Sequence, residues 1–397
     1  MKDKKILIGI SGGIAAYKIP LLIRLYKKAG AEVKVVISKN GLEFVTRVTL
    51  ETLSNNKIYC ETFAEINDYS TEHISLTDWA DIFVLAPATA NIIGKYANGI
   101  ADDALSTSLL AFDKDVIIAP AMNCKMYDNF AVQKNMKYLQ DNGVHFLDAE
   151  IGMLACGYSG KGRMAEPEDI FDFTKHVFNR KSDSILKGKN ILVTAGGTRE
   201  PIDPVRYLAN RSSGKTGYEI ANYFRDLGCN VTLISGITNL KKPYGVKTLM
   251  VESSNEMHKA VLSELNSSNI LIMAAAVADY TFEYSESKIK KNGKDPFFNP
   301  IPSVDILKDI SKIKKDNQIF VGFALETDNV YDNAVKKLKN KNLDFIVMNS
   351  ITENFSPFGS ENNSVRIIGK NGYDQNYEDI NKDQIGQFIE DAILGLK

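Results

Sequence analysis

The chain alternates short β-branched runs with stretches of helical period, a pattern that predicts parallel strands wrapped by helices. In the first half the strand-like runs are Ile6–Ile10, Val33–Ile37, Ile82–Ala86 and Val116–Ala119, separated by helix-period stretches such as Ala15–Lys28 and Met126–Gln140. Near Phe178-Asn-Arg-Lys-Ser-Asp-Ser-Ile-Leu-Lys-Gly-Lys the pattern dissolves into polar residues. It then restarts: Asn190-Ile-Leu-Val-Thr reads as a new first strand, followed by a helix near Thr216–Leu227. Further strands are expected at Val231–Ile234, Ile270–Ala274, Ile319–Phe323 and Phe345–Met348, with Val365-Arg-Ile-Ile as an edge strand and Lys382–Leu396 as a closing helix. The reading is α/β: two doubly wound, mostly parallel-sheet domains, residues 1–180 and 188–397, joined near 180–188. Ligands of such folds sit outside the carboxyl ends of the strands, so chemistry is sought in the loops that follow them.

Composition sharpens this picture in three ways. A length of 397 residues suits two domains of about 200 each. The 48 basic and 49 acidic residues leave a net charge of -1, which removes the electrostatic case for nucleic acid or an anionic membrane. Cys60, Cys124, Cys156 and Cys229 have no paired spacing, so neither a disulfide framework nor a zinc site is expected. Met1-Lys-Asp-Lys-Lys runs directly into a strand, without the longer apolar run of a signal peptide, and no stretch has the length of a membrane span. A cytoplasmic protein is expected.

In the first half the unusual residues gather after the strands. Ser11-Gly-Gly-Ile-Ala-Ala-Tyr-Lys lets backbone N–H groups approach a phosphate at a helix start, although glycine here also serves merely to turn the chain. Ala86-Pro-Ala-Thr-Ala-Asn suits a phosphate or a flat ring, or equally caps a helix through Thr89 and Asn91. In Ala119-Pro-Ala-Met-Asn, Asn123 is either an amide at a pocket mouth or a cap. Gly152-Met-Leu-Ala-Cys-Gly-Tyr-Ser-Gly-Lys-Gly-Arg-Met packs four glycines into thirteen residues, which predicts a flexible lid delivering the Cys156 thiol.

With His73-Ile-Ser-Leu, these motifs resemble the flavin-dependent cysteine decarboxylases, whose fold is flavodoxin-like and whose cofactor is FMN. The resemblance implies that flavin oxidises a substrate thiol toward a thioaldehyde, that carbon dioxide leaves from the adjacent carbon, and that the ene-thiol is then reduced. It assigns His73 to the oxidation and decarboxylation half, Asn123 to the departing carboxylate and Cys156 to proton delivery. It places Ser11, Gly12, Gly13, Ser38, Ala88, Thr89, Asn91 and Ser106 around FMN, with Ser38 standing where the family more often has Thr.

In the second half, the segment from Thr194 to Gly217 runs to 24 residues, against two to six for an ordinary strand-to-helix connection. It ends in Ser212-Ser-Gly-Lys-Thr-Gly, a phosphate cradle without the spacing of a Walker A loop. Met273-Ala-Ala-Ala-Val-Ala-Asp-Tyr carries one acid out of an apolar run, Ser287-Lys-Ile-Lys-Lys-Asn-Gly-Lys is basic, and Lys337 and Lys341 lie one helical turn apart beyond Gly322-Phe-Ala-Leu-Glu-Thr. A charge run is usually a solvated face, but lysines four apart can also converge on a triphosphate.

These features resemble the bacterial phosphopantothenate–cysteine ligases, a Rossmann-like family that is commonly fused behind the flavin decarboxylase. The fused family is the bifunctional phosphopantothenoylcysteine decarboxylase/phosphopantothenate–cysteine ligase of coenzyme A biosynthesis, and the resemblance spans nearly the whole chain. It implies 4'-phosphopantothenate, cysteine and CTP as small-molecule substrates, Mg²⁺ as a cofactor with unknown ligands, and an acyl-cytidylate intermediate. It assigns Asp279, Lys288, Ser303, Asp305, Ile306, Phe323, Lys337 and Lys341 to CTP, Lys288 also to charge at the transferred phosphoryl group, and Asn210 to the acyl intermediate. Ser303-Val-Asp-Ile departs from the family's Pro before Asp-Ile, and Ser350 follows Asn349 where an acid is usual. A homo-oligomer is implied, with trimers through the flavin domain and dimers through the ligase domain. Two rivals remain: a non-catalytic regulatory flavoprotein, disfavoured by Cys156 and Asn123, and a nicotinamide oxidoreductase, disfavoured by the missing Gly-x-Gly-x-x-Gly.

Overall fold

The computed structural model describes residues 1–61, 72–153, 159–180, 184–290, 299–326, 330–350 and 362–395. By its contacts the chain forms two compact units, Met1–Phe178 and Asn179–Lys397.

The first unit holds β1 (Lys5–Ile10), β2 (Glu32–Ile37), β3 (Ile82–Ala88), β4 (Val116–Pro120) and β5 (His145–Phe146). They form a parallel sheet in the order β2-β1-β3-β4-β5. Successive strand residues point to opposite faces, and here both faces are covered. Ile6, Ile8 and Ile10 pack with Leu22, Ile23 and Tyr26 of helix Ile19–Lys28, while Leu7, Phe83 and Leu85 pack with Ile92, Leu105 and Leu109 on the other side. Burial on both faces is why these strands read as continuous apolar runs.

Two expected helices are each divided. A 3-10 turn, Ile14–Lys18, precedes helix Ile19–Lys28, whose Pro20 occupies the first turn, where a missing N–H is no loss. The expected Met126–Gln140 helix is instead Cys124–Tyr127 and Phe130–Asp141, because the Asn129 side chain accepts the Ala131 N–H at 3.0 Å and starts a second helix.

The glycine-rich segment expected as a flexible loop has ordered arms. They are β6 (Glu150–Met153) and β7 (Ser159–Arg163), paired antiparallel. The tip, with Cys156, lies outside the described residues.

In the second unit the strands are β8 (Asn190–Ala195), β9 (Arg199–Pro201), β10 (Tyr207–Ala209), β11 (Asn230–Ser235), β12 (Lys247–Met250) and β13 (Ile270–Met273). They continue with β14 (Tyr280–Phe282), β15 (Pro300–Pro302), β16 (Ile319–Glu326), β17 (Phe345–Ser350), β18 (Asn362–Gly369) and β19 (Asp374–Asn381). The main sheet runs β12-β11-β8-β13-β16-β17-β18-β19, with the first six parallel and the last two antiparallel. Its order reverses between β8 and β13, the crevice where a doubly wound sheet takes its ligand. The Val365–Ile368 run is not the edge strand expected from sequence, since β19 lies outside it. The closing element is a 3-10 turn, Lys382–Gln384, followed by helix Ile385–Leu394.

Candidate functional site

Each unit opens a cavity at the carboxyl ends of its own strands. The first measures about 720 Å³ and is bounded by the loops after β1, β2, β3 and β4 together with β7. Ser11, Gly12, Gly13, Ser38, Thr89, Asn91 and Asn123 all line it. Gly12 is required by close approach: a Cβ there would meet the Asn40 Cβ at 2.5 Å. The buried Ser11 hydroxyl donates to the Pro87 carbonyl at 2.7 Å and accepts the Thr89 N–H at 3.0 Å.

The capping alternatives now separate. Thr89 stands at the N-cap of helix Ala90–Ala97 but makes no side-chain cap, its hydroxyl lying 3.2 Å from Ser11 Oγ instead. Asn123 does cap, its Oδ1 accepting the Lys125 N–H at 2.9 Å, and it lines the cavity as well. Ser38 likewise does both, accepting the Gly41 N–H at 3.3 Å. Ala88 and Ser106 do not belong to the lining. Ala88 is buried in the strand end, and Ser106 forms a reciprocal cap with Asp103, which does line the cavity. His73 falls in helix Glu72–Trp79 with its side chain outside what is described, and Cys156 lies outside the described residues altogether.

Charged residues to which the sequence reading gave no role complete this cavity. Lys18 is buried and pairs with Glu166 at 2.8 Å, and Arg163 of β7 pairs with the same carboxylate. Although burial works the other way, Lys18 and then Arg163 hold the Glu166 carboxyl below its usual value. Lys95 lies 2.6 Å from Asp102 and 3.2 Å from Asp103, and the two carboxylates outweigh burial to raise its pKa. The cavity thus joins a hydroxyl- and glycine-lined turn to an apolar wall containing Ile92, Leu105, Met122 and Met164.

The second cavity, about 1000 Å³, sits at the β8/β13 reversal. The loops after these strands are laced together there. The Ala276 N–H donates to Gly196 O at 2.8 Å, the Ala278 N–H to Thr198 Oγ1 at 2.9 Å, and Asn210 Nδ2 to the carbonyls of Ala276 and Val277 at 3.2 Å each. Gly214, in the left-handed region at φ 82°, starts helix Lys215–Asp226 and brings the Ser212–Gly217 turn into the lining. Asn210, Asp279, Ser303, Asp305, Ile306, Phe323, Lys337 and Lys341 line the same cavity. The Ser303 N–H donates to Asp279 O at 2.9 Å, and Lys337 Nζ donates to Phe323 O at 2.9 Å. Lys341 pairs with Asp305, whose carboxyl it holds below the usual value against the opposing effect of burial.

Lys288 is not brought to this lining. It is exposed on a segment whose next residue, Ile289, is bonded at both backbone groups to the Asp203–Arg206 turn. Conversely, Asn349 and Lys382 line the cavity without having been assigned a role from sequence, and Lys215 lines it as part of the Ser212–Gly217 turn expected as a phosphate cradle.

The comparisons with known proteins divide the chain in the same two parts. Residues 1–179 match the family model described as flavoprotein, and residues 186–396 match the DNA/pantothenate metabolism flavoprotein C-terminal domain. The coenzyme A biosynthesis bifunctional protein of Bacillus subtilis is 44% identical over 375 residues, covering 94% of this chain and 92% of that one. Its Escherichia coli counterpart is 39% identical over 398 residues, covering 99% and 97%. A crystal structure of the C-terminal domain of such a bifunctional protein is 38% identical and covers 53% of this chain and 96% of its own, with a TM-score of 0.46.

Proposed function

Because the chain belongs to the family of coenzyme A biosynthesis bifunctional flavoproteins, it is an enzyme with a decarboxylase and a ligase activity, and we propose the following division of labour. Residues 188–397 join cysteine to 4'-phosphopantothenate with CTP and Mg²⁺, through an acyl-cytidylate and with release of pyrophosphate. Residues 1–180 then decarboxylate phosphopantothenoylcysteine to 4'-phosphopantetheine with FMN. The observation that carries this reading is that each unit opens a cavity at the strand ends of its own sheet, the first lined by Ser11, Gly12, Gly13, Ser38, Thr89, Asn91 and Asn123 and the second by Asn210, Asp279, Ser303, Asp305, Ile306, Phe323, Lys337 and Lys341.

The first cavity suits FMN. The Ser11–Gly13 turn has no room for a larger residue at Gly12 and offers backbone to a phosphate, and the apolar wall suits a flat ring. Bound flavin supplies two-electron oxidation and reduction at the thiol-bearing carbon. Asn123 hydrogen-bonds the departing carboxylate without adding charge. His73 handles the proton of the oxidation and decarboxylation half, and Cys156 returns a proton to the ene-thiol carbon. Ser11, Gly12, Gly13, Ser38, Thr89 and Asn91 hold the cofactor directly, while Ala88 and Ser106 support it from behind.

In the second cavity Asp279, Ser303, Asp305, Ile306, Phe323, Lys337 and Lys341 hold CTP. Lys288 reaches the phosphoryl group from its neighbouring segment, and Asn210 orients the acyl carbon for attack by the cysteine amine. The Mg²⁺ ligands stay unassigned: among the described residues no group of three or more His, Cys, Asp or Glu could hold a metal. We place the protein in the cytoplasm as a homo-oligomer. No described helix is long and apolar enough to cross a membrane.

The test is to mix purified protein with 4'-phosphopantothenate, cysteine, Mg²⁺ and CTP or ATP in turn. We expect 4'-phosphopantetheine, carbon dioxide and one pyrophosphate per turnover with CTP. Product that forms equally well after the flavin is stripped, or no pyrophosphate from CTP, would overturn the reading.

A further inference from the structure

We infer that Thr198 is a positioning residue of the ligase site: its buried hydroxyl holds the segment 276–278, on which the Asn210 amide is oriented. The inference rests on the ligase reading, in which Asn210 presents that amide to the acyl carbon. It adds to the site a residue that does not line the cavity.

The juxtaposition follows from the hairpin after β8. β9 and β10 pair antiparallel, and Arg199 stands opposite Ala209, so Thr198 and Asn210 are the next residues along the two arms. Both turn to the same segment. The Ala278 N–H donates to Thr198 Oγ1 at 2.9 Å, and the Thr198 N–H donates to Ala276 O at 3.3 Å. Asn210 Nδ2 donates to the carbonyls of Ala276 and Val277 at 3.2 Å each. Ala276 O is thus shared by Thr198 and Asn210. Gly197 fits between the two, since a Cβ there would meet Asn210 O at 3.3 Å and Ala276 O at 3.8 Å.

Thr198 is itself held fast. It is 0% exposed, as is Thr194, whose hydroxyl accepts the Ala275 N–H at 3.2 Å. Alternate residues of an extended segment share a face, and Glu200, two positions on, is buried as well. Its carboxylate accepts the N–H and the hydroxyl of Ser254, at the start of helix Ser254–Leu265, at 2.8 and 3.1 Å. Ala278 is buried, so its N–H needs an acceptor within the protein. Valine would fill the volume of Thr198 and leave that N–H unpaired, which is the costly case. The Asn210 bonds lie at the long end of the hydrogen-bond range, so a shift of the segment by about 0.5 Å breaks them. A misplacement of about 1 Å can cost about a hundredfold in rate.

The test uses the full-length protein as wild type, Thr198→Val, Thr198→Ser and Asn210→Ala. Rapid-quench assays follow pyrophosphate release from CTP and 4'-phosphopantothenate, and then transfer to cysteine. Thr198→Val should slow transfer by roughly tenfold to a hundredfold and leave pyrophosphate release within about threefold of wild type. Thr198→Ser keeps the acceptor and should restore most of the loss. In an Asn210→Ala background, Thr198→Val should slow transfer by less than about twofold further, because residues acting through one another are not additive. A merely structural threonine would slow both steps alike and show its full effect in that background; either outcome would overturn the inference. Should Thr198→Val fail to fold, Thr198→Cys, whose sulfur is only a weak acceptor, carries the same comparison. Crystal structures of wild type and Thr198→Val need no turnover. In the variant, Asn210 Nδ2 should leave hydrogen-bond distance of at least one of the two carbonyls, and the inference fails if both bonds persist. A wild-type protein that shows the bonds but releases no pyrophosphate from CTP refutes the ligase reading and not the positioning of Asn210.

Discussion

Ser11 and Thr89 are tied across the floor of the first cavity: the Thr89 N–H donates to Ser11 Oγ at 3.0 Å, and the two hydroxyl oxygens lie 3.2 Å apart. This joins the loop after β1 to the loop after β3, the two strands that flank the reversal of sheet order.

Ser11→Ala should therefore do more than delete one flavin contact. It leaves the partly buried Thr89 N–H without its acceptor, a loss of about 1–3 kcal/mol. We expect a lower thermal midpoint, together with FMN affinity weakened about tenfold. Flavin absorbance after gel filtration and a melting curve measure the two effects. Full flavin occupancy with an unchanged midpoint would show that the tie is dispensable.

Asp203 makes the second prediction. It is buried, and its carboxylate accepts the N–H groups of Val205 at 2.8 Å, Arg206 at 2.9 Å and Ile289 at 3.2 Å, and Arg206 Nε at 3.0 Å. Burial opposes ionisation, but Arg206 and then the backbone donors hold the pKa down at about 2. A folded-state pKa below the unfolded value of about 3.9 means that the stabilisation is fully present above that value. It is lost as pH falls through the folded-state pKa. Asp203→Asn should thus be less stable than wild type at neutral pH, and the difference in urea midpoint should shrink between about pH 4 and pH 2. Because Ile289 adjoins Lys288, we also expect the ligase rate to fall roughly tenfold to a hundredfold while the decarboxylase rate holds. A difference in midpoint that stays constant across that acid range counts against the clamp.

Which parts were legible in the sequence follows from how local their signals are. The runs Ile6–Ile10 and Ile270–Met273 are apolar because both sheet faces are covered, so hydrophobicity alone reveals them. β5 has two residues and no period to read, and β19, Asp374-Gln-Asn-Tyr-Glu-Asp-Ile-Asn, is polar because it is an edge. Its identity as a strand comes from pairing with β18, which sequence periodicity does not record. The loop motifs around Gly12, Asn123, Asn210 and Gly214 were legible because glycine and amide residues stand out after strands. Lys18 was not, since its meaning lies in Glu166, which is 148 positions away. Lys382 reads as one more exposed helix lysine until the fold buries it in the lining of the second cavity.

The hairpin gives the third prediction, and a control comes from the same element. Gly162 O accepts the Met122 N–H at 3.0 Å, and a Cβ on Gly162 would lie 2.3 Å from the Met122 carbonyl oxygen. Gly162→Ala must push β7 off the loop that presents Asn123, so decarboxylation should drop by roughly a hundredfold with ligation intact. In Gly152→Ala the added methyl meets only Arg163 side-chain atoms at 3.6 Å, an ordinary contact, and activity should stay near wild type. Equal effects from the two substitutions would show that docking of β7 does not position Asn123.

Asn210 gives the sharpest test of the ligase site. Its Nδ2 donates to two carbonyls, Ala276 and Val277, at 3.2 Å each, which fixes the amide orientation and leaves Oδ1 as the opposite end of the group. Aspartate has nearly the same shape but only acceptors, so in Asn210→Asp two carbonyl oxygens face a carboxylate instead of a donor. The side chain should turn away and carry a negative charge into a cavity that must take anionic reactants. Activation of the carboxylate depends on the residues proposed for CTP, so acyl-cytidylate should still form. Its transfer to cysteine depends on the neutral amide and should slow by roughly a hundredfold or more. Lys288→Gln should fail earlier, because the cation proposed for the phosphoryl step is gone. Rapid-quench assays with radiolabelled CTP separate these stages, reading pyrophosphate release before cysteine is added and cytidine monophosphate afterwards. Asn210→Asp should release one pyrophosphate per site without cysteine and then stall, whereas Lys288→Gln should release almost none. If both variants stall at the same stage, Asn210 and Lys288 do not act at separate steps, and the assignment of Asn210 to the acyl carbon fails.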